Sequence, residues 1–338
     1  MKYLVTGGAG FIGSHIVERL LKDGHSVVVL DNFLTGRESN LSFVSQYAIR
    51  NTQYELIRGD IRDYSTCLKA SQGVDAIFHE AALRSVPKSM EAPHDYNAVN
   101  IDGILNILEA ARENKVRRVV FASSSSVYGD TDQFPEREDA YPLLISPYAL
   151  SKLAGEYYLR IFSENYGLET VALRYFNVYG PRQALDDEYA VVIPKFIHCI
   201  LNDEPPPIFG NGKQSRDFTY IDNVVEANIL AATVPLKSQS HKVTKSPDAS
   251  DSSRDTQSAI RNTVFNVANG KDNTVLNIVD TLNKIIGKDI KPKFLPVRAG
   301  DVFKTHADIS KIQNILGYKP LVSFEEGLRR TVEYWKDM

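Results

Sequence analysis

A tyrosine, a lysine and a run of serines have the types and spacing needed to move a proton. Tyr148 and Lys152 are four residues apart, so in a helix their side chains lie on one face. An ammonium close to a phenol favours the phenolate and lowers the tyrosine pKa from its ordinary value of about 10. A hydroxyl from the serine run 123–126 could hold the oxygen whose proton is moved. These features predict a general acid–base site, although tyrosine and lysine also share this spacing by chance on helix surfaces.

A glycine-rich turn near the start of the chain is a second chemical feature. It follows a strand-like segment at 3–6 and precedes an apolar helical pattern at 14–21. Gly7 can adopt backbone angles closed to other residues, Gly10 leaves room for a phosphate, and Gly13 lets the helix pack closely. A strand, a glycine turn and a helix N-terminus in this order bind the pyrophosphate of a dinucleotide. The residues predicted to surround it are Gly7, Gly10, Phe11, Ile12 and Gly13.

An aspartate at the end of the second predicted strand indicates which dinucleotide is bound. Asp31 follows the apolar segment 26–30, close to the offset of about 20 residues expected for the carboxylate that contacts the ribose. A carboxylate there repels the extra phosphate of NADP, so the sequence predicts NAD. Its cationic nicotinamide would favour a phenolate at Tyr148, as Lys152 would. Arg37 could weaken the preference for NAD, but a surface arginine is the simpler interpretation.

Strands and helices alternate through the first half of the chain. Further strands are predicted at 54–57, 76–79, 118–122 and 171–177, and one intervening helix is predicted to begin at Asn100. This alternation predicts an α/β fold with a doubly wound parallel (Rossmann) sheet, which binds ligands at the carboxyl ends of its strands. The residues after strand ends that we predict to flank the cofactor are Asp60, Ile61, Ala81 and Ala82. For Asp60, a role as a helix N-cap fits equally well.

The second half of the chain predicts a smaller C-terminal substrate-binding domain. We predict an NAD-binding Rossmann domain at 1–176, with returning segments at about 217–235 and 263–268, and a substrate-binding domain at 177–216 and 269–338. The segment 237–262 is rich in Ser, Lys, Asp and Thr, which predicts a mobile surface insertion. Asp222 is predicted to be the N-cap of a helix that ends at Ala232.

Composition excludes several kinds of partner. The chain has 338 residues, 43% of them hydrophobic, and a net charge of −3, which is ordinary for a soluble enzyme and predicts binding to neither nucleic acid nor membrane. No apolar run approaches the roughly 20 residues of a membrane span, and no signal-peptide pattern is present, so a cytoplasmic location is predicted. Cys67 and Cys199 share no metal-ligand spacing, so no metal is predicted.

Together these motifs resemble the extended short-chain dehydrogenases/reductases that act on nucleotide sugars. The resemblance rests on the glycine motif 6–13, the serine motif 123–129 and the Tyr-x-x-x-Lys motif 148–152, and it covers nearly the whole chain apart from 237–262. Within this family the chain is most similar to UDP-N-acetylglucosamine 4-epimerases. The stretches that carry this finer resemblance are 174–183, 189–196 and 215–220.

The resemblance implies a mechanism in which Ser124, Tyr148 and Lys152 are catalytic. Tyr148 would take the proton from the sugar 4-hydroxyl while Ser124 shares the hydrogen bond. C4 would pass its hydride to NAD⁺, and the resulting 4-keto sugar would turn over in the site and take the hydride back on its other face. NAD would be regenerated in each cycle. Lys152 would also hold the nicotinamide ribose.

The resemblance also implies further contacts. Besides the residues above, Asn32, Asn100, Tyr148, Lys152 and Tyr175 would contact NAD. The implied substrate contacts are Arg84, Ser85, Ser124, Ser125, Tyr148, Asn177, Val191, Arg216, Arg298, Asp301 and Thr305. An arginine suits a diphosphate because its planar fork makes paired charge-assisted bonds.

The resemblance implies that Thr305 determines which sugar is accepted. In the family, the residue four positions after the aspartate of the Arg-x-Gly-Asp segment lines the hexose pocket, and enzymes restricted to UDP-glucose and UDP-galactose tend to carry a tyrosine there. Here the matching residue is Thr305, which would leave space for an acetamido group. We therefore expect turnover of UDP-GlcNAc and UDP-GalNAc, with UDP-Glc and UDP-Gal slower. A displacement of the loop by one residue would place Lys304 or His306 there instead.

The family also implies a homodimer. Helices near 100–113 and 149–165 would pair with their copies in a four-helix bundle. The apolar residues Ile104, Leu105 and Leu108 could contribute to it, or could equally face the sheet of their own chain.

Several alternatives remain open. The nearest is a UDP-glucose/galactose 4-epimerase. A sugar 4,6-dehydratase would carry an Asp-Glu pair where Ser125 and Ser126 stand, and a UDP-glucuronate enzyme would need a cation for the C6 carboxylate. A non-catalytic NAD-sensing protein is a further possibility, which the intact Ser124, Tyr148 and Lys152 argue against.

Overall fold

The computed structural model describes residues 1–47, 53–184, 192–235, 262–297 and 302–336. Its strands are β1 (Lys2–Thr6), β2 (Ser26–Asp31), β3 (Tyr54–Arg58), β4 (Ala76–His79), β5 (Arg118–Ser124), β6 (Glu169–Tyr175), β7 (Val178–Tyr179), β8 (Pro207–Phe209), β9 (Ser215–Asp217), β10 (Thr219–Tyr220), β11 (Asn262–Val267), β12 (Asp272–Thr274) and β13 (Lys293–Leu295). Its helices are α1 (Phe11–Lys22), α2 (Val44–Tyr47), α3 (Tyr64–Ala70), α4 (Val86–Glu91), α5 (Pro93–Asn97), α6 (Gly103–Glu113), α7 (Pro147–Tyr166), α8 (Val192–Leu201), α9 (Ile221–Thr233), α10 (Val275–Ile286), α11 (Ser310–Leu316) and α12 (Phe324–Lys336).

Seven parallel strands form the central sheet in the order β11-β6-β5-β4-β1-β2-β3. The middle strands are almost wholly buried, as their runs of Val, Ile, Phe and Ala require when helices cover both faces of a sheet. Strand order reverses between β1 and β4, and this switch point opens a crevice at the carboxyl edge. The predicted α/β fold with a doubly wound parallel sheet is confirmed.

The helix that was predicted to begin at Asn100 begins earlier in the structure. Instead of starting at Asn100, helical structure begins with α5 and passes through one π-helical turn at Ala98–Asp102 into α6. Pro93 occupies the first turn of α5, where a missing backbone N–H costs nothing. The consequence is that Asn100 lies inside a helix rather than at its start.

The prediction that Asp222 caps α9 was wrong. The helix begins at Ile221 with Tyr220 as its N-cap residue, and Asp222 lies in the first turn. There a carboxylate still favours the positive end of the helix dipole, and it pairs with Arg330 of α12 at 3.2 Å.

The second half of the chain packs onto the sheet rather than standing apart from it. It contributes strands to three two-stranded sheets, which pair β7 with β10, β8 with β13 and β9 with β12. One apolar cluster runs from Val29 in the main sheet through Tyr179 to Leu328 of α12. The predicted surface insertion at 237–262 lies outside the described residues, apart from its last residue, Asn262, which begins β11.

Two further features bear on the predictions from composition. Among the described residues, no helix is both long and apolar enough to cross a membrane. Within the same ranges, no three His, Cys, Asp or Glu side chains are grouped so that they could hold a metal ion. Cys67 and Cys199 are both buried free thiols.

Candidate active site

The glycine turn between β1 and α1 has the geometry that its residues predict. Gly7 has a φ of +67°, and a Cβ there would lie 2.7 Å from the backbone nitrogen of Ala81. At Gly13 a Cβ would lie 2.2 Å from the Gly7 carbonyl oxygen, so only glycine lets α1 pack this closely. The first N–H groups of α1 lack partners within the helix and are available to an anion.

Asp31 ties the end of β2 to this turn. Its Oδ2 accepts a hydrogen bond from the Ala9 backbone N–H at 2.9 Å, and its Oδ1 accepts one from Phe33 at 2.8 Å. Further along the carboxyl edge, Asn32 donates to Asp60 Oδ2 at 2.8 Å. Bonding to the Arg62 guanidinium is the main cause that holds the pKa of Asp60 well below its ordinary value. Asp60 is not a helix N-cap, because Asp63 caps α3.

A cavity of about 340 Å³ runs along the carboxyl edge of the sheet, across the switch point. The predicted residues that line it are Gly7, Gly10, Phe11, Ile12, Gly13, Asp31, Asn32, Asp60, Ile61, Ala81, Ala82, Arg84, Ser124, Tyr148, Tyr175 and Asn177. The cavity therefore joins the glycine turn to the proposed acid–base residues, which come from distant parts of the chain.

The proton-transfer residues meet where β5 ends and α7 begins. Ser146 caps α7 by accepting the Ala149 N–H at 3.1 Å, and Pro147 pre-sets the first turn, which places Tyr148 against the end of β5. The Ser124 hydroxyl lies next to the Tyr148 phenol, and both line the cavity. Lys152 is buried one turn further on, and its Nζ donates to the Ala122 carbonyl oxygen at 2.7 Å.

The protein alone does not lower the tyrosine pKa, contrary to the sequence prediction. Burial raises the pKa of Tyr148, although the neighbouring Ser124 hydroxyl and the charge of Arg84 act to lower it. Lys152 Nζ lies 5.9 Å from the Tyr148 ring centroid and is bonded to a carbonyl rather than to the phenol. Burial also lowers the pKa of Lys152 to about 8. A phenolate at neutral pH therefore needs charge supplied by a bound ligand.

The structure also separates the four serines. Ser123 donates to Glu156 Oε1 at 2.5 Å and is occupied structurally. Ser124 faces the cavity and donates to Ser126 Oγ at 3.1 Å. Ser125 begins a short 3₁₀ turn, and the described lining of the cavity does not include it.

Asn177 lines the cavity and contacts Thr305, which is not itself among the described residues that line it. Asn177 Nδ2 donates to Thr305 Oγ1 and to the Asp217 carbonyl oxygen, each at 3.0 Å. Backbone bonds between Thr305 and β9 fix the register of this segment. Because side chains alternate along an extended segment, Lys304 and His306 face Asp272 instead, at 3.6 and 3.7 Å.

Several predicted contact residues occupy other places. Asn100 uses its side-chain amide to bind both backbone groups of Leu83 and the Ser151 hydroxyl, so it fixes the loop after β4. Ser85 caps α4. Arg216 donates to the carbonyl oxygens of Ser215 and Phe303. The predicted substrate contacts Val191, Arg298 and Asp301 lie outside the described residues.

Part of the cavity wall consists of residues that were not predicted from the sequence. The missed residues include Leu34, Thr35, Asn40, Glu80, Val99, Arg182 and Gln183. Arg182 and Gln183 arrive from the second half because the neutral His15 ring of α1 donates to the Pro181 carbonyl oxygen at 3.0 Å. No local sequence pattern predicts this contact between His15 and Pro181. Glu80 could have been predicted from the sequence, since it directly follows β4 and precedes Ala81, which was predicted to flank the cofactor.

These residues fit a dinucleotide. A turn in which only glycine is sterically accepted, free N–H groups at a helix start and a carboxylate at the end of β2 are the parts that a pyrophosphate and an adenosine ribose need. Tyr148 and Asn177 line the same cavity.

Comparison with known proteins agrees with this geometry. Residues 3–244 match the NAD-dependent epimerase/dehydratase family. The fold is similar to that of a UDP-N-acetylglucosamine 4-epimerase from Methanobrevibacter ruminantium M1 in complex with UDP-N-acetylmuramic acid, with 40% identity, a TM-score of 0.86, and coverage of 99% of this chain and 98% of that chain. It is also similar to a UDP-glucuronic acid 4-epimerase from Bacillus cereus in complex with UDP-glucuronic acid and NAD, with 34% identity, a TM-score of 0.83, and coverage of 100% and 99%. A UDP-glucose 4-epimerase from Mycolicibacterium smegmatis is 36% identical over 100% of this chain and 99% of its own length.

The fold and the site define a dinucleotide-binding enzyme with a tyrosine-centred proton-transfer site. The chain belongs to the NAD-dependent epimerase/dehydratase family, whose members are extended short-chain dehydrogenases/reductases. It is an epimerase, an enzyme of the isomerase class, and NAD is its cofactor.

Proposed function

We propose that this enzyme epimerises UDP-sugars at C4 and that its preferred pair is UDP-GlcNAc and UDP-GalNAc, with UDP-Glc and UDP-Gal slower. The observation that supports this preference is the small Thr305 side chain, whose hydroxyl accepts a hydrogen bond from Asn177, a residue of the cavity wall. A side chain of this size leaves room for an acetamido group at C2 of the sugar. Similarity to the Methanobrevibacter ruminantium enzyme supports the same choice.

The residues of the site divide the chemical work between them. When bound, NAD⁺ supplies a hydride acceptor that returns the hydride within the same cycle, so no net oxidation results. Ser124 orients the oxygen on C4, and Tyr148 takes its proton and later gives it back. Lys152 stabilises negative charge on the phenol from one turn away on α7.

We propose the contacts to the cofactor and to the UDP group from the places of these residues in the sequence motifs. The glycine turn and Asp31 hold the dinucleotide, and Asn177, Arg216 and Arg298 hold the UDP group. We also propose that the chain is divided, as predicted, into a cofactor-binding part and a substrate-binding part with the cavity between them. We further propose that the enzyme is located in the cytoplasm.

Thr305→Tyr tests the choice of sugar. We expect kcat/KM for UDP-GlcNAc and UDP-GalNAc to fall by at least about 100-fold, because a phenol ring would overlap the acetamido group in a packed pocket. Turnover of UDP-Glc and UDP-Gal should fall by less than about 10-fold. The measurement is kcat/KM for all four sugars with both proteins.

A second variant separates size from hydrogen bonding. Thr305→Val keeps the side-chain volume but removes the oxygen that accepts from Asn177. It should lower the rates for all four sugars alike and preserve their ratio. A wild-type enzyme that strongly prefers the unacetylated pair, or a tyrosine variant with unchanged ratios, would contradict the assignment.

UDP-glucuronate is the second candidate substrate, because a guanidinium lies near the reacting centre. Arg84 lines the cavity, and its charge acts to lower the Tyr148 pKa. A cation in this position could bind the C6 carboxylate, and one structural neighbour is a UDP-glucuronic acid 4-epimerase. Adding UDP-glucuronate to the four-sugar panel decides between the two proposals.

We propose that the enzyme is a homodimer that pairs through α7. On this helix Leu150, Tyr157 and Ile161 are 54%, 56% and 46% exposed and lie on one face. Ile104 and Leu108 of α6 are fully buried in their own chain, so they cannot contribute, while Leu105 is partly buried. α7 therefore supplies the apolar surface that we propose for the interface.

Light scattering at micromolar concentration should give the mass of two chains for the wild type. Ile161→Asp should give the mass of one, because an unpaired charge would be buried in the interface. Phe294→Asp, a change at a similarly exposed apolar residue on β13, should leave the dimer intact. A monomeric wild type would exclude this interface.

A further inference from the structure

The ring of Tyr148 packs against a second tyrosine that the acid–base mechanism does not use. Tyr96 lies in α5, directly before the π-helical turn, and is 4% exposed. Its ring meets the Tyr148 ring edge-on, with 6.3 Å between the ring centroids and 87° between the ring planes. Because an aromatic pair has preferred orientations, Tyr96 restricts the directions in which the Tyr148 phenol can point.

The hydroxyl of the same tyrosine holds the loop after β4. The Tyr96 oxygen accepts a hydrogen bond from the Ser85 backbone N–H at 2.9 Å, in a buried position. Ser85 is also the N-cap of α4, so this bond holds the point where the loop ends and the helix begins. A buried backbone N–H that loses its acceptor is costly, and the Tyr96 hydroxyl therefore stabilises this conformation of the loop.

A second anchor holds the loop two residues earlier. Asn100, inside the π-helical turn, accepts from the Leu83 backbone N–H at 2.8 Å and donates to the Leu83 carbonyl oxygen at 2.9 Å. Arg84 lies between the two anchored backbone positions and lines the cavity. Both anchors come from one continuous helical stretch, so that stretch places Arg84 in the cavity wall.

We propose that Tyr96 is a positioning residue with two separable roles: its ring directs the Tyr148 phenol, and its hydroxyl holds the loop that presents Arg84 to the substrate. One buried side chain thereby contacts both the ring that moves the proton and the loop that carries a cation. Tyr96 is not among the described residues that line the cavity, so it acts through these two neighbours. The inference rests on the proposed function, in which Tyr148 transfers the proton and Arg84 contacts the substrate.

Tyr96→Phe tests the role of the hydroxyl, because it keeps the ring. We expect KM to rise by about three- to ten-fold, the factor that one hydrogen bond typically contributes, since Arg84 is then anchored on one side only. The ring still packs on Tyr148, so kcat should stay within about two-fold of the wild type. The measurement is kcat and KM with whichever UDP-sugar is turned over fastest.

Tyr96→Leu removes the ring as well as the hydroxyl. KM should rise as in the phenylalanine variant, and kcat should also fall by about ten-fold or more, because a displaced phenol is no longer aligned with the proton that it takes. If kcat falls equally in the two variants, the ring does not direct Tyr148 and the proposal is wrong.

Arg84→Met shows whether the hydroxyl acts through the loop. Adding Tyr96→Phe to this variant should change KM by less than about two-fold, because the arginine that the loop positions is already absent. A general loss of stability would instead raise KM by the same factor in both backgrounds, which would overturn the role of the hydroxyl. Tyr64→Phe is the control: its hydroxyl donates to Glu113 at 2.6 Å, away from the cavity lining that the structure describes, and both kinetic constants should be unchanged.

Two measurements on the full chain need no substrate, so they separate this inference from the proposed function. In protein labelled with ¹⁵N at serine, the Ser85 amide, assigned from a Ser85→Ala variant, should exchange its hydrogen about ten-fold faster in Tyr96→Phe. The ¹³C signals of the Tyr148 ring, assigned from Tyr148→Phe, should move in Tyr96→Leu and much less in Tyr96→Phe.

The two kinds of measurement fail in different ways. Unchanged Ser85 exchange and unchanged Tyr148 signals would overturn the proposal even in an enzyme that epimerises UDP-sugars. Both expected changes in a protein that turns over no UDP-sugar would support the two contacts of Tyr96 and reject the proposed function instead.

Discussion

Tyr148→Phe is expected to lower kcat by about 10²–10⁴-fold while leaving the Kd for the UDP-sugar nearly unchanged. The variant removes the phenolic oxygen that Ser124 contacts and keeps the ring that packs edge-on against Tyr96 at 6.3 Å between centroids. Binding should survive because the proposed contacts to the UDP group lie around Asn177, in another part of the cavity wall. Single-turnover rates and calorimetric titration measure the two quantities separately.

A tyrosine at the far end of the same helix provides the control. Tyr166 is 53% exposed, and its ring packs on Phe162 at 5.0 Å between centroids. Tyr166→Phe should therefore leave kcat within about two-fold of the wild type. A Tyr148→Phe enzyme with near-normal kcat would remove this tyrosine from the mechanism.

Glu156→Ala is expected to lower the free energy of unfolding by about 3–5 kcal/mol, the largest effect on stability that we predict. Glu156 of α7 binds Arg174 of β6 through two hydrogen bonds, at 2.9 and 2.8 Å, and both side chains are only 5% exposed. It also accepts from Ser123. Removing the carboxylate leaves the buried Arg174 guanidinium without its ionic partner. The loss of stability therefore exceeds that of an ordinary hydrogen bond. Urea-induced unfolding measures the difference.

The same helix carries a matched exposed pair. Glu164 binds Arg160 at 2.7 Å, with side chains 59% and 61% exposed. Because water and salt screen such a pair, Glu164→Ala should change the free energy of unfolding by less than about 1 kcal/mol. Similar costs for the two variants would show that the buried pair contributes no more than a surface one.

Features coded locally were predictable from the sequence. The glycine turn, its strand and its helix are consecutive, and each residue type has one steric reason to be there, so the prediction matched the structure at Gly7 and Gly13. The alternation of apolar strands with helices gave the doubly wound sheet for the same reason. The contact between Thr305 and Asn177 was not predicted, because the resemblance placed Thr305 only at the sugar pocket and left a displacement by one residue open.

Features that depend on three-dimensional surroundings were not predictable. The pKa of Tyr148 is raised because burial outweighs the neighbouring hydroxyl and charge, and spacing along a helix contains no information on burial. Arg182 reaches the cavity through contacts between distant parts of the chain, which include the bond from His15 to Pro181 and the ion pair of Arg182 with Glu18. The predicted N-cap of α9 was wrong by two residues. Tyr220, the last residue of β10, is itself the N-cap residue, so the strand leads directly into the helix.

The last strand to join the main sheet has a consequence for synthesis on the ribosome. β11 pairs with β6 along its full length, from Asn262 opposite Thr170 to Val267 opposite Tyr175. Until that late segment emerges, β6 presents an unpaired edge of buried, apolar residues, which is a template for association between nascent chains. The cofactor-binding half can therefore complete its sheet only after most of the polypeptide has been translated.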